Sequence, residues 1–253
     1  MKILINGRAV TAFKGETVLT AARRAGVEIP TLCHHEAVED SGACRMCMVE
    51  IREAGWDEDR TKLVTACLFP VEEGLSVQTD SPEVRRTRKE ILELLLARSP
   101  EAEAVRVLAA KYGVESSPYP DREDAELPNC ILCGICTRVC QALVTGAITM
   151  SERGPNKIVG PPFGEAADTC IGCMACASSC PTNAIPVEDT GTTRTIWGRT
   201  FDLVPCAICG APTGTREQID WLAKKTGRAA ADFEICVACK TKATGEVWHR
   251  ISW

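Results

Sequence analysis

The feature that most constrains this chain is a duplicated cysteine run. Cys130-x2-Cys133-x2-Cys136-x3-Cys140 recurs as Cys170-x2-Cys173-x2-Cys176-x3-Cys180, and each copy is followed by a similar tail, Gly146-Ala147-Ile148 and Asn183-Ala184-Ile185. A 4Fe–4S cubane needs four thiolates at tetrahedrally disposed corners. Three come from one short C-x2-C-x2-C loop, whose backbone amides wrap the sulfides, and the fourth comes from elsewhere in the chain.

In two-cluster ferredoxins the fourth cysteine of each run ligates the other cluster. The expected sets are therefore Cys130, Cys133, Cys136 and Cys180 for one 4Fe–4S cluster, and Cys170, Cys173, Cys176 and Cys140 for the second. Pro181 follows Cys180 as the bacterial pattern expects. Gln141 stands where the first proline would be, which frees the backbone after Cys140 without removing a ligand.

A third set precedes the repeat: Cys33-x10-Cys44-x2-Cys47-x19-Cys67, with a glycine-containing loop Ser41-Gly42-Ala43-Cys44-Arg45-Met46-Cys47. Two irons need two thiolates each, and a loop with three cysteines plus a distant fourth can supply them. The first interval is longer than in the plant-type C-x4-C-x2-C arrangement. His34 and His35 beside Cys33 invite a Rieske-like reading, but four cysteines already complete a 2Fe–2S site, and Rieske histidines sit in a different loop pattern.

A fourth set closes the chain: Cys206-x2-Cys209-Gly210 and Cys236-x2-Cys239. Two C-x2-C knuckles suit one metal ion in tetrahedral sulfur coordination, as in zinc ribbons. The same thiolates could hold a third 4Fe–4S cluster, although no third close cysteine sits beside either knuckle. His249 reads as an ordinary surface side chain near the terminus, with a substitute ligand as the alternative. Four sets of four use all sixteen cysteines, leaving none for a nucleophile or a redox disulfide.

The rest of the sequence agrees with thiols kept for metal. The N-terminus Met1-Lys2-Ile3-Leu4-Ile5-Asn6-Gly7 reads as a strand and turn rather than a secretion signal, so the cysteines are expected in a reducing, cytoplasmic compartment. No apolar run approaches the roughly 18 residues of a membrane span. A net charge of −5 argues against nucleic acid as the main partner, since phosphate binding needs clustered positive charge. With 5% aromatic residues, folding leans on aliphatic packing and on the metal sites themselves, and the metal-free cluster domains are expected to be largely unfolded.

Along the chain, Asn6-Gly7 marks a two-residue hairpin turn, with a second strand through Ala9–Phe13. Thr17 reads as the N-cap of a helix that Gly26 stops. Val49–Ile51 and Leu75–Val77 read as further strands. Ser81-Pro82 and Ser99-Pro100 each predict a helix start, the first helix marked by Val84, Ile91, Leu94 and Leu95, the second by Val105, Leu108, Ala109 and Tyr112. Residues 116–128 read as a linker, and 188–195 as a polar, threonine-rich separator. The basic run Arg85-Arg86-Thr87-Arg88-Lys89 reads as solvated helix surface, or as a docking patch. The expected class is α+β: a β-grasp 2Fe–2S domain over 1–80, a helical connector and linker over 81–128, a two-cluster ferredoxin domain over 129–190, and a zinc-ribbon-like four-cysteine domain over 191–253.

The residues Glu16-Thr17-Val18-Leu19, Ile29-Pro30-Thr31-Leu32-Cys33, Gly42-Ala43-Cys44-Arg45-Met46-Cys47-Met48-Val49-Glu50, Val64-Thr65-Ala66-Cys67 and Arg88-Lys89-Glu90-Ile91-Leu92-Glu93-Leu94-Leu95 carry a resemblance. The first 98 residues resemble the 2Fe–2S module shared by the large iron–sulfur subunit of complex I, the diaphorase small subunit of NAD-linked hydrogenases and iron-only hydrogenases. Residues 130–180 resemble the two-cluster domain that follows in those families. Those families usually place a histidine-plus-three-cysteine 4Fe–4S cluster in between. Residues 68–129 hold neither histidine nor cysteine, so that cluster is expected to be absent.

The resemblance implies an electron relay without substrate chemistry of its own, in a multi-subunit, NAD(P)-linked and electron-bifurcating hydrogenase complex. Its expected partners are a flavin/NAD-binding subunit, a catalytic subunit and a soluble ferredoxin. The chain carries no dinucleotide, P-loop or hydrolase motif. Alternatives are the iron–sulfur subunit of a formate dehydrogenase, an aldehyde oxidoreductase or another low-potential oxidoreductase, and, from a different class, an iron–sulfur/zinc regulatory protein.

Overall fold

In the computed structural model, residues 1–57, 59–121 and 127–251 are described, with side chains through residue 244. The chain divides into two compact units, residues 1–138 with 179–184, and residues 139–178 with 185–253.

The first unit opens with strands β1 (Lys2–Ile5) and β2 (Arg8–Thr11), joined at Asn6-Gly7. Both turn residues have positive φ, 51° and 78°, the mirror-image turn that matches the twist of a two-residue hairpin. Helix α1 (Val18–Arg24) is capped by the Thr17 hydroxyl, which accepts from the Thr20 N–H, and it buries Val18, Leu19, Ala21 and Ala22. Strands β3 (Met48–Arg52), β4 (Lys62–Thr65) and β5 (Ser76–Gln78) complete a five-stranded sheet of order β2-β1-β5-β3-β4. Only the β1–β5 pair is parallel. Alternate residues point inward, as the two-residue strand period requires: Ile3 and Ile5, then Val49 and Ile51, form the core with the apolar face of α1. Burying each such side chain stabilises the unit by about 1.5–3 kcal/mol.

Helix α2 (Pro82–Arg98) starts at Ser81, whose Oγ accepts from the Val84 N–H. Its buried stripe is Val84, Arg88, Leu92 and Leu96, whereas Leu94, expected on that stripe, is 53% exposed. The reason is Arg88. Rather than lying on a solvated patch it is 2% exposed, donating to the Tyr112 hydroxyl at 2.8 Å and the Met48 carbonyl at 2.7 Å. Its fork ties α2 to β3. The neighbouring Arg85 and Arg86 do face solvent, paired with Asp80 and with Glu83 and Glu90.

Helix α3 (Glu103–Lys111) begins later than Ser99-Pro100 suggests. The Ser99 N–H is already engaged with the Leu95 carbonyl as the end of α2, so Ser99-Pro100 forms the turn between the helices. Val105 and Ala109 face inward, and Gly113, at φ 67°, follows the helix.

Helix α4 (Ile135–Leu143) carries the chain from the first unit into the second. There, β6 (Thr149–Ser151) and β7 (Ile158–Gly160) form a hairpin, and α5 (Ala175–Ser178) holds Cys176. The stretch read as a separator instead forms β8 (Glu188–Asp189) and β9 (Thr193–Ile196). With β10 (Arg199–Pro205) and β11 (Pro212–Thr215) these make a four-stranded antiparallel sheet. Helix α6 (Arg216–Thr226) is capped by Thr215 and ends at Gly227 in the left-handed conformation, and α7 (Val237–Ile251) follows Cys236. Among the described residues no helix is long and apolar enough to cross a membrane.

Candidate metal centres

The sheet register explains the N-terminal site. Strands β3 and β4 pair antiparallel with Met48 opposite Thr65, so Cys47, just before β3, and Cys67, just after β4, end side by side. The Ala66 N–H donates to the Cys47 carbonyl at 3.0 Å. Cys33 and Cys44 come together from the loops after α1 and before β3, and all four thiols are at most 5% exposed. Backbone amides point at sulfur: Leu32 N–H to Cys44 Sγ and Cys44 N–H to Cys33 Sγ, both 3.4 Å. Gly42 and Arg45, at φ 61° and 60°, make the sharp turns that aim them.

Two thiol pairs result. Hydrogen bonding to Cys44 holds the Cys33 thiol down at about 6, and Cys44 is pushed up in return. Hydrogen bonding to Cys67 lowers Cys47 to about 7, and Cys67 rises. Cys33 is also close enough to influence both Cys47 and Cys67, so the four sulfurs form one group. His34 turns to Asp40, Nδ1 to Oδ1 2.8 Å.

The two repeats share a backbone design. Leu132 and Gly134 in the first loop, and Gly172 and Met174 in the second, all have positive φ: 53°, 71°, 62° and 63°. Such residues turn successive amides to one side, a concavity that takes negative charge. Burial pushes Cys133 up to about 11, with Cys180 and Cys130 adding to the shift. Burial likewise raises Cys170 and Cys173, and raises Cys176 to about 11, and Cys140 acts on all three. Cys180 thus lies near Cys133, and Cys140 near Cys170, Cys173 and Cys176, and each expected set falls wholly within one compact unit. A small cleft is lined by Cys140, Cys170, Cys173 and Cys176 together with Thr145 and Trp197. The Thr145 hydroxyl is buried without a hydrogen-bond partner. Four thiols and an orphaned donor around one cavity fit a sulfide-bridged cluster.

Several side chains that hold these loops carry no cysteine signature. In the first unit Arg138 donates to the carbonyls of Cys33 at 2.9 Å, Gly134 at 3.2 Å, and Glu39, and Arg98 donates to the Cys130 carbonyl at 3.0 Å. In the second, Arg194 donates to Gly172 O at 3.1 Å, and Arg199 donates to Asp168 O at 2.7 Å and Cys170 O at 2.9 Å. The Thr215 hydroxyl, while capping α6, also donates to Ile171 O.

At the C-terminal set, Cys206 follows directly on β10 and Cys209 closes the ensuing turn, where the Gly210 N–H donates to the Cys206 carbonyl at 2.9 Å. The Ala207 N–H reaches Glu234 O at 2.9 Å, which brings in Cys236 and Cys239. The four Sγ atoms all lie within 4.8 Å of one another, with Cys209 and Cys236 at 3.6 Å. Backbone N–H groups, that of Cys236 first, hold Cys206 at about 6, and hydrogen bonding to Cys209 raises Cys239 to about 12. The side chain of His249 lies outside the described residues.

Residues 1–82 match a 2Fe-2S iron-sulfur cluster binding domain and residues 129–185 a 4Fe-4S dicluster domain. The chain is 32% identical over 215 residues to the NADP-reducing hydrogenase subunit HndD of Solidesulfovibrio fructosivorans, an alignment spanning 73% of this chain and 36% of that protein. It is 32% identical over 231 residues to the NADPH-Fe(3+) oxidoreductase subunit alpha of Geobacter sulfurreducens, spanning 83% of this chain and 26% of the relative. The chain thus covers well under half the length of either relative. In fold it is similar to a chain from the crystal structure of NAD+-reducing [NiFe]-hydrogenase in the H2-reduced state. The TM-score is 0.64 at 22% identity, over 90% of this chain and 99% of that one.

Proposed function

We propose that this chain, an iron–sulfur protein resembling the electron-transfer subunits of NAD(P)-linked hydrogenases and NAD(P)H oxidoreductases, is the electron relay of such a complex. The observation that carries the reading is the match to a 2Fe-2S and a 4Fe-4S dicluster domain whose twelve cysteines are all buried or half-buried. Nucleotide and flavin chemistry, and the terminal reaction, belong to partner subunits in this reading. The electron-bifurcating variant needs a soluble ferredoxin as a third partner.

In this assignment Cys33 with Cys44, and Cys47 with Cys67, hold the two irons of a 2Fe–2S cluster on a β-grasp domain. One 4Fe–4S cluster takes Cys130, Cys133, Cys136 and Cys180, the other Cys140, Cys170, Cys173 and Cys176. Bound there, such clusters supply one-electron donors and acceptors. The chain's own part is to bury the sulfurs, aim amides at them and fix the loops through Arg138, Arg194 and Arg199. A cytoplasmic site of action accords with sixteen cysteines kept for metal in a reducing compartment.

The C-terminal set is assigned to one zinc ion in a zinc-ribbon-like module. Zn–S bonds of about 2.3 Å in a tetrahedron put the sulfurs about 3.8 Å apart. The Cys209–Cys236 separation of 3.6 Å and the 4.8 Å limit on the whole set support a single ion. A cubane would place an iron–sulfide core between the thiolates and spread them further.

The test is reduction by pyridine nucleotide. In the anaerobically purified native complex, NADH or NADPH should produce reduced 2Fe–2S and 4Fe–4S resonances from this chain, whereas the isolated chain should stay oxidised with nucleotide and reduce only with dithionite. Nucleotide oxidation by the isolated chain, or clusters in the complex that stay oxidised, would refute the relay.

A further inference from the structure

We propose that Trp197 is a positioning residue for the second 4Fe–4S site: its indole N–H holds the sulfur of Cys176 and raises the reduction potential of the cluster bound there. The inference rests on the reading that Cys140, Cys170, Cys173 and Cys176 bind a 4Fe–4S cluster, and it adds a residue outside every cysteine motif.

Trp197 and Gly198 form the two-residue loop between β9 and β10, whose register closes with Ile196 opposite Arg199. Both loop residues are left-handed, at φ 54° and 73°. A loop of this shape favours Asn-Gly, because a bulky side chain crowds its own backbone there. A tryptophan in that position is a local conflict, and such conflicts are kept where the side chain serves a site. Here its Nε1 lies 3.5 Å from Cys176 Sγ, and its half-buried ring lines the cavity shared by the four thiols.

The hairpin cannot swing freely. Arg194, on β9, is anchored to the Gly172 carbonyl and to Asp189, and Arg199, on β10, to the carbonyls of Asp168 and Cys170. Phe201, further along β10, packs where any side chain on Gly172 would stand. The indole is therefore delivered to the sulfur by a hairpin fixed on the same cysteine loop.

An N–H aimed at a thiolate sulfur favours the state with more negative charge on the cluster, and hydrogen bonds to sulfur are among the levers that set iron–sulfur potentials. The reduced cluster carries one electron more than the oxidised one, so the bond is stronger after reduction. Removing it should shift the reduction equilibrium about tenfold toward the oxidised form, about 59 mV downward for a one-electron couple.

The experiment is an EPR-monitored redox titration of the full chain, purified anaerobically, as wild type, Trp197→Phe and Trp197→Asn. Cys173→Ser identifies which cubane signal belongs to the second site. Phenylalanine keeps a ring but loses the N–H. Asparagine suits the left-handed turn better and is too short to reach the sulfur, so it separates loss of the N–H from strain in the turn. The expected result is a downward shift of the second cubane alone in both variants, with the first cubane and the 2Fe–2S cluster unmoved. Unchanged potentials in both variants, or equal shifts at both cubanes, would overturn the proposal. A wild-type protein with a single cubane would instead overturn the reading of the site, and that result is visible before any variant is made.

Discussion

Replacing Gly172 by alanine tests whether the second cysteine loop is moulded on the sheet beneath it. Gly172 sits at φ +62°, and a Cβ there would stand 2.7 Å from Phe201 Cδ2, 2.9 Å from Phe201 Cγ and 2.9 Å from Thr215 Cγ2. Left-handed backbone costs an L-residue about 1–2 kcal/mol. The equivalent residue of the first loop, Leu132, accepts that cost at φ 53°, so conformation alone does not forbid a side chain. The overlap is the larger effect. Phe201 is 1% exposed and Thr215 fully buried, so neither can retreat without repacking, which costs about 1–3 kcal/mol. Together the substitution should destabilise the loop by about 2–5 kcal/mol. At about 1.4 kcal/mol per factor of ten, the lower end corresponds to about thirtyfold more frequent opening of the loop. The assay is the rate at which an iron chelator removes the second cubane from anaerobic protein, followed by visible absorbance and by its EPR signal. In a Phe201→Ala background the same glycine substitution should cost less, with a coupling of about 0.5–3 kcal/mol. Iron loss from Gly172→Ala at the wild-type rate, or a cost independent of Phe201, would refute the reasoning.

Further outcomes follow from other contacts. The Met48 carbonyl and Tyr112 hydroxyl take their buried donor from Arg88. Arg88→Met should therefore lower stability by about 2–4 kcal/mol in urea unfolding, since both groups are left unsatisfied. An unchanged midpoint would deny Arg88 its clamping role. The Glu16 carboxyl is held below its usual range by Arg24 first and then by the Phe13 N–H. Its stabilisation should be complete above the unfolded value of about 4.3 and disappear as pH falls through the lower folded value. The stability gap between wild type and Glu16→Gln should therefore narrow from about pH 5 to about pH 3, and a gap that widens there would contradict the assignment. Removing the C-terminal metal with a thiolate-directed chelator should loosen the turn at Cys206–Gly210 and reduce helical circular dichroism from α7, while visible absorbance persists. Parallel bleaching would place a coloured cluster at that site.

What could be read in advance was local. The Asn6-Gly7 turn and the caps at Thr17 and Ser81 depend on a few adjacent residues, and each repeated cysteine run is a short contiguous stretch. The buried face of α2 could not be read that way. A hydrophobic pattern assigns arginine to water, and only the tertiary position of Met48 and Tyr112 turns Arg88 inward and Leu94 out. Ser99-Pro100 carries the residue types of a helix start, yet its N–H was already committed to the preceding helix. The strands over 188–196 are rich in threonine and charge and lack an apolar alternation, so from sequence alone they read as a separator. The supports of the second cysteine loop, Arg194, Trp197, Arg199 and Thr215, lie well beyond its last cysteine and share no motif with it. Trp197 carries no signal of its own either, because the two-residue turn that makes a tryptophan unusual there appears only once β9 and β10 are paired.

The central claim, a chain that wires electrons through inorganic sulfide clusters, is tested most directly by counting iron, acid-labile sulfide and zinc per chain on anaerobically isolated protein. The account predicts about ten irons, about ten sulfides and one zinc. About fourteen irons without zinc would turn the C-terminal site into a third cubane, and a protein with thiol-bound metal but no labile sulfide would contradict the relay itself.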